Sequence, residues 1–297
     1  MKTARAEAAL VAVTVLWGTT FVVVKSALAD ISPMLLLALR FALASVALGL
    51  LFRKAVRRAG IAAGCLAGLL LFAAYVFQTT GLLTTTPPKS AFLTSLSVPL
   101  VPLAGSLVYR TRPRLLEAAG IAVATLGTVL LTAPPEAWSR GVWSFGRGDW
   151  LSFLCAVAFA LHIVVTGHFA PIVGFESLVV VQTATAALLS AAALLLEPVR
   201  FHLTAPLAGA VLMTGLLATA LAFAVMAWAQ QYTSANRAAL IFSLEPVVAL
   251  ATSWLVAGET LSGRGKVGAG LILSGILLVE LKRSKPERHP MASGDLP

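Results

Sequence analysis

The sequence predicts an all-α polytopic membrane protein, with ten transmembrane helices in two inverted five-helix repeats around a central cavity. Three observations carry this expectation. Of its 297 residues 59% are hydrophobic and 11% charged, and the mean hydropathy is +0.91; a soluble domain carries about a quarter charged residues. Apolar stretches near the ~20 residues a bilayer requires recur along the whole length. The chain also repeats itself. Lys89-Ser-Ala-Phe-Leu-Thr-Ser-Leu-Ser-Val-Pro99 has the rhythm of Asn236-Arg-Ala-Ala-Leu-Ile-Phe-Ser-Leu-Glu-Pro246: small residues at Ala91 and Ala238, hydroxyls at Ser95, Ser97 and Ser243, and a closing proline in each. Beyond them, Gly120 and Gly127 before a Val-Leu-Leu run match Gly268 and Gly275 before Ile-Leu-Leu-Val.

The spans fall at roughly 8–24, 33–52, 61–82, 88–108, 115–132, 150–168, 175–196, 206–229, 236–256 and 266–281. Short links punctuate them. Ser32-Pro33 opens the second, Pro87-Pro88 the fourth, Arg112-Pro113 precedes the fifth and Pro134-Pro135 ends it. Residues 1–138 form the first five-helix repeat and 139–281 the second, joined by the longest link, Ala133 to Asp149; residues 282–297 are a polar tail expected to be disordered and cytoplasmic. Lys2 and Arg5 ahead of an apolar run, with Ala27-Leu28-Ala29 after it, have the look of a secretory signal, but the run from Ala8 to Val24 exceeds the usual h-region and reads as a first helix.

Basic residues set the topology. With both termini in the cytoplasm, fourteen lysines and arginines fall inside, among them Arg53, Lys54, Arg57, Arg58, Arg110 and Arg237, and seven fall outside, among them Lys25, Lys89 and Arg200. The positive-inside rule selects that orientation in a cytoplasmic (inner) membrane. Five spans per half is an odd number, so the second repeat enters from the opposite side. The net charge of +10 sits in these short clusters, which topology explains without a nucleic-acid partner. Cys65 and Cys155 lie inside spans and read as packing residues; no metal motif and no cofactor is indicated. Gly64 and Gly68, Ala118 and Ala122, and Gly268, Ser274 and Gly275 suit close helix packing.

Polar side chains in hydrocarbon must face protein or water, so their helical spacing is informative. Ser152, Cys155, Phe159, His162 and Thr166 form one stripe on the sixth span, and Ser90, Thr94 and Ser97 another on the fourth. Tyr75 and Gln78 share a face of the third; Thr219, Phe223, Met226 and Gln230 align on the eighth, with Trp228 and Gln231 on a neighbouring face. Trp17 lies near the middle of the first span. A cavity lined by Tyr75, Gln78, Phe159, His162, Trp228 and Trp17 would mix aromatic surface with a few hydrogen-bonding groups, as small polar metabolites require. The plainer reading is interhelical hydrogen bonding for the Ser/Thr stripe and for His162, and an interfacial belt for Trp228.

Two charges lie deep inside spans, away from their ends: Arg40 in the second and Glu245 in the ninth. An isolated carboxylate there either keeps its proton or finds a cation, and the two residues sit at comparable depth. They are expected to form a structural pair tying the halves together; the alternative is that Glu245 titrates and couples protons to transport. Pro99 and Pro246 each remove a backbone hydrogen bond and are expected to act as matched hinges. Glu259, in Ala-Gly-Glu-Thr-Leu-Ser, reads as a hairpin cap.

Trp17-Gly18-Thr19-Thr20-Phe21, Arg40-Phe41, Ser243-Leu-Glu-Pro246 and Gly258-Glu259-Thr-Leu-Ser262 together resemble the EamA-type members of the drug/metabolite transporter superfamily, along essentially the whole chain. The resemblance implies alternating inward- and outward-open states and an affinity with YddG-type amino-acid exporters, whose third, sixth and eighth helices line the path; Tyr75, Gln78, Phe159, His162 and Trp228 match by helix and face. The first half departs by carrying Leu-Ser-Val-Pro99, without the acid. The expected function is a secondary carrier exporting small metabolites, amino acids foremost, acting as a monomer in the bilayer. The alternative is a multidrug efflux carrier with Glu245 as its cation or proton site. A membrane-embedded enzyme is the reading from another class, and the chain lacks a His-Glu-x-x-His motif, a Gly-x-Ser-x-Gly elbow and a nucleotide-binding loop.

Overall fold

The computed structural model describes residues 2–85, 87–110, 113–132, 146–248, 251 and 263–280. The repeat boundary at 138/139, the tail after 281, Glu259 and the end of the expected ninth span lie outside the described residues. Twelve described α-helices follow one another: α1 (Lys2–Ala27), α2 (Pro33–Phe52), α3 (Ile61–Gly81), α4 (Pro87–Ser95), α5 (Ser97–Tyr109), α6 (Leu115–Thr132), α7 (Arg147–Val173), α8 (Phe175–Ala193), α9 (Ala205–Leu212), α10 (Ala222–Ala229), α11 (Ala235–Phe242) and α12 (Gly263–Glu280). Among the described residues the one β contact is an isolated bridge between Ile31 and Phe201. Among the described residues seven stretches are long and apolar enough to cross a membrane, and Leu115–Leu130 is a shorter apolar helix. Large apolar side chains such as Val46, Leu107 and Leu188 point outward, as lipid in place of water allows.

Local chemistry sets the helix ends. Pro33 occupies the first turn of α2 behind an extended Ser32. Thr204 caps α9, its Oγ1 accepting from Leu207 N at 3.2 Å, and Ser234 caps α11, accepting from Arg237 N at 3.3 Å. Gly174, at φ 84°, turns the chain straight from α7 into α8.

Three spans depart from the unbroken helices that hydropathy predicts. The fourth is two helices, α4 and α5, parted at Leu96. The ninth breaks at Ser243 and Leu244 and resumes over 245–248. Each break precedes a proline, whose missing N–H cannot bond the carbonyl four residues back. The eighth winds as a π-helix over Met213–Leu221 between α9 and α10.

The matched glycines meet across the molecule. A Cβ on Gly127 (α6) would lie 2.6 Å from the Gly268 carbonyl oxygen of α12, and one on Gly275 would lie 2.6 Å from that of Gly120. Gly64 and Gly68 likewise admit α8, at Val181 and Gln182.

Polar contacts tie both ends of the bundle. Where α1 begins, Arg237 Nη1 lies 3.1 Å from Glu7 Oε1 and Arg237 Nε 3.8 Å from Glu117 Oε1, joining α1, α6 and α11. Where α1 ends, Lys25 donates to the carbonyls of Leu82, Leu83 and Thr85, and Ser32 N donates to Arg200 O at 3.0 Å.

Candidate functional site

The expected residues on α1, α2, α3 and α7 converge at the centre of the bundle. Tyr75, on α3, is their hub. Its ring lies edge-on to Phe41 at 5.4 Å and to Phe159 of α7 at 5.4 Å, and 6.2 Å from Phe223 of α10. Trp17 of α1 completes the aromatic wall, 5.2 Å from Phe223 and 5.3 Å from Phe242 of α11. Gln78 stands one turn further along α3. Trp17, Gln78 and Phe159 are half-buried, whereas Tyr75 is 4% exposed.

Arg40 is 2% exposed, and its partners are hydroxyls. Nε donates to Thr219 Oγ1 at 2.6 Å, Nη2 donates to Tyr75 Oη at 2.8 Å, and the guanidinium carbon stands 4.1 Å from the Tyr75 ring centroid. The ion pair with Glu245 expected from depth does not form among the described residues. Rise along a helix fixes height but not direction, and Arg40 is drawn to α3 and the π-helix instead. Glu245 is half-buried and within electrostatic reach of Tyr75 and Cys155. Gly18 lets α1 approach its backbone; a Cβ there would lie 3.1 Å from Glu245 O and 2.9 Å from Val248.

The π-helix explains how the first half grips the second. A π turn frees carbonyls from the regular ladder. Ala218 O accepts from Trp17 Nε1 at 2.8 Å, and Thr214 O accepts from the Thr219 hydroxyl at 2.7 Å, leaving the Thr219 oxygen to accept from Arg40.

The polar stripes find different uses. On α7 the first part of the stripe meets the α4 stripe: Ser90 Oγ lies 3.0 Å from Ser152 Oγ, Thr94 Oγ1 3.8 Å from Cys155 Sγ, and beyond them Thr85 donates to Asp149 at 2.6 Å. These are interhelical bonds. His162 is fully buried, 3.0 Å from Gln182 Oε1 of α8, with its ring edge-on to Phe223 at 5.5 Å. Its Nδ1, Gln182 Nε2 and Gln230 Oε1 are buried without a hydrogen-bond partner among the described residues. Trp228 packs against the same core cluster and lies 5.6 Å from Tyr232, whose ring lies under Lys2. Pro99 lines an apolar groove of about 620 Å³ between α5 and α6, with Pro102, Leu103, Ile121 and Thr125.

Thr219, Phe223, Phe242 and Gln182 belong to the site, and of these only Thr219 and Phe223 stand out by spacing in the sequence. The eighth-span stripe already held the first two, and a lone glutamine in an apolar span was the signal for the fourth.

The profile of the EamA-like transporter family matches the chain twice, over residues 4–133 and 146–281. An uncharacterized transporter of Archaeoglobus fulgidus is 31% identical over 277 residues, spanning 93% of this chain and 86% of that protein. A permease-like protein of Bacillus subtilis, YdzE, is 35% identical over 71 residues, 24% of this chain and 91% of its own length. One protein of known crystal structure shares the fold, with a TM-score of 0.74 at 21% identity over 93% of this chain and 98% of its own.

Proposed function

The chain belongs to the EamA-like transporter family and is a multi-pass membrane transporter, and from that premise we propose that it is a secondary carrier exporting small metabolites, foremost amino acids, across the cytoplasmic membrane. The observation that carries this reading is the central cluster in which Trp17, Arg40 and Tyr75 of the first half meet Phe159, Thr219 and Phe223 of the second. An aromatic wall with a few directed polar groups, built between two moving parts, suits a small polar solute. Tyr75, Gln78, Phe159 and Trp17 contact it in this reading. His162 backs the wall through Phe223, and Trp228 lies along the path toward the end where α1 begins.

Ten helices in two inverted repeats fit the double family match and the paired glycine contacts of α6 and α12. The fourteen-to-seven distribution of basic residues supports cytoplasmic termini. The breaks before Pro99 and Pro246 serve as hinges, and the resemblance to YddG-type exporters supplies the substrate class.

A second reading is multidrug efflux with Glu245 as the cation or proton site. It is favoured by the absence of an Arg40–Glu245 pair among the described residues, which leaves Glu245 without that cation. Purified protein in liposomes, given a panel of amino acids with and without a pH gradient, separates the two. Flux of at least one amino acid is expected; movement of lipophilic cations but of no amino acid selects the second reading.

A further inference from the structure

The short helix α11 is bounded by departures from helix at both ends: the turn through Gln230–Ser234 before it and the break at Ser243 and Leu244 after it. Its two ends touch different parts of the molecule. The first turn carries Arg237, whose Nη1 lies 3.1 Å from Glu7 Oε1 of α1 and whose Nε lies 3.8 Å from Glu117 Oε1 of α6. Beside these, Thr233 Oγ1 donates to Glu7 Oε1 at 3.4 Å and Asn236 Nδ2 donates to Glu117 Oε2 at 3.5 Å. The last residue of α11 is Phe242, whose ring meets Trp17 at 5.3 Å in the central wall. At 1.5 Å per residue, Arg237 and Phe242 are about 7–8 Å apart along the axis. Past the break α1 is held close, for a Cβ on Gly18 would lie 3.1 Å from Glu245 O and 2.9 Å from Val248. The charges belong to opposite halves, Glu7 and Glu117 to the first family match and Arg237 to the second. Arg237 also stands where a cation is least stable by itself. The first turn of a helix presents the positive end of its dipole, so the guanidinium depends on the two carboxylates. Glu117 lies in the first turn of α6, where the same dipole favours it with or without Arg237. The three side chains are 10–16% exposed. An ion pair that water reaches as it loosens costs less to open than a sealed one, which suits a contact that forms and breaks.

We propose that α11 is a gate at the end of the bundle where α1 begins, hinged at Ser243–Leu244 and latched by Arg237 to Glu7 and Glu117. The structure has the latch closed. Opening swings α11 away from α1 and α6 about the break, while residues 245–248 keep their contact with Gly18. Phe242 leaves Trp17 in the same movement, which uncovers the central cluster from this end. The gate rests on the carrier reading above for its need to open, and it adds which segment moves and what holds it shut.

The test reads access directly and needs no substrate. In the full chain carrying Cys65→Ser and Cys155→Ala, Met226→Cys places a single thiol on α10, between Phe223 of the wall and the turn that precedes α11. Met226 is 1% exposed, so labelling there requires an opening. A membrane-impermeant maleimide is applied in turn from each face of oriented membrane vesicles. Arg237→Gln is expected to speed labelling at least tenfold from the face where α1 begins and to leave the other face unchanged. Reversing the charges, with Arg237→Glu, Glu7→Arg and Glu117→Gln together, is expected to bring the rate back to within threefold of the parent. A folded Arg237→Gln protein that labels at the parent rate, or that labels faster from both faces alike, overturns the gate. So does a charge-reversed protein that folds and stays fast. Where Arg237→Gln does not fold, Glu117→Gln removes one of the two carboxylates and decides by the same readout, with at least a threefold increase expected from the one face. Flux of no amino acid in liposomes would overturn the substrate reading and leave the labelling result standing.

Discussion

Among the described residues the chain breaks a helix ahead of a proline at Leu96 and again at Ser243 and Leu244, and the two breaks hold different groups. Before Pro99, Leu96 N reaches back to Leu93 O at 3.2 Å and Ser95 Oγ donates to Phe92 O at 2.6 Å. Before Pro246, Leu244 N reaches back to Ile241 O at 3.0 Å and Ser243 Oγ donates to Leu240 O at 2.6 Å. Both places tighten to three-residue spacing and both use a serine to bond the carbonyl three residues back. The residue just ahead of the proline differs. Val98 is 2% exposed and packs with Ile121, Ala124 and Leu240. Glu245 is half-buried and within electrostatic reach of Tyr75 and Cys155. The bend is a property of the backbone and occurs in both copies; the charge depends on which neighbours surround it and occurs in one.

Exchanging the distinguishing residue tests this most severely. Val98→Glu places a carboxylate among apolar side chains and is expected to cost about 3 kcal/mol or more, seen as loss of monodisperse protein in size-exclusion chromatography. Glu245→Gln removes the charge from a half-buried position and is expected to keep the fold while changing substrate selection. A stable Val98→Glu protein would mean that the two surroundings differ less than the packing indicates.

The glycine contacts are the part where the copies should behave alike. Gly127→Leu and Gly275→Leu each drive a side chain into a backbone carbonyl 2.6 Å from the Cβ position. Overpacking of this kind costs about 1–3 kcal/mol, and the two variants are expected to lower the melting temperature in detergent by the same amount. Unequal losses would show that the helix pair α6–α12 is not evenly shared between the halves.

Much of this was legible in the sequence. Hydropathy located the seven described spans that qualify, and the echo between Lys89–Pro99 and Asn236–Pro246 anticipated where both helices break. Helical spacing named the stripes but could not name their partners. Ser152 and Cys155 meet α4, while Phe159 meets Tyr75 and His162 meets Gln182. Those choices depend on the rotation of each helix, which one strand of sequence does not record. The π-helix was invisible for a related reason. Met213–Leu221 reads as an ordinary apolar helix, and its freed carbonyls are partnered by Trp17 and Thr219 only once α1 is packed against it. The Arg40–Glu245 expectation used depth alone and so missed Tyr75 and Thr219.

On the hinge proposal, Pro99→Ala and Pro246→Ala each restore an N–H able to bond the carbonyl four residues back, at Ser95 and at Phe242. Each is expected to slow exchange roughly threefold to tenfold, about 1 kcal/mol in the barrier, with little change in substrate selection. Unaltered transport kinetics in either variant would remove that proline from the mechanism.

The smallest effect should come from the serines. Ser95→Ala and Ser243→Ala each remove one hydroxyl-to-carbonyl bond of 2.6 Å. Such bonds bend helices locally, and hydrogen bonds between side chains in membrane proteins average about 0.6 kcal/mol. Each substitution is therefore expected to lower stability by less than about 1 kcal/mol and to shift transport no more than threefold. The comparison is sharpest in the double variant. If the two breaks flex as one motion, the effects of the pair on transport rate depart from the product of the single effects. If they flex separately, the effects multiply. Simple multiplication, with both single variants measurably slowed, would show two independent hinges and not a coupled pair.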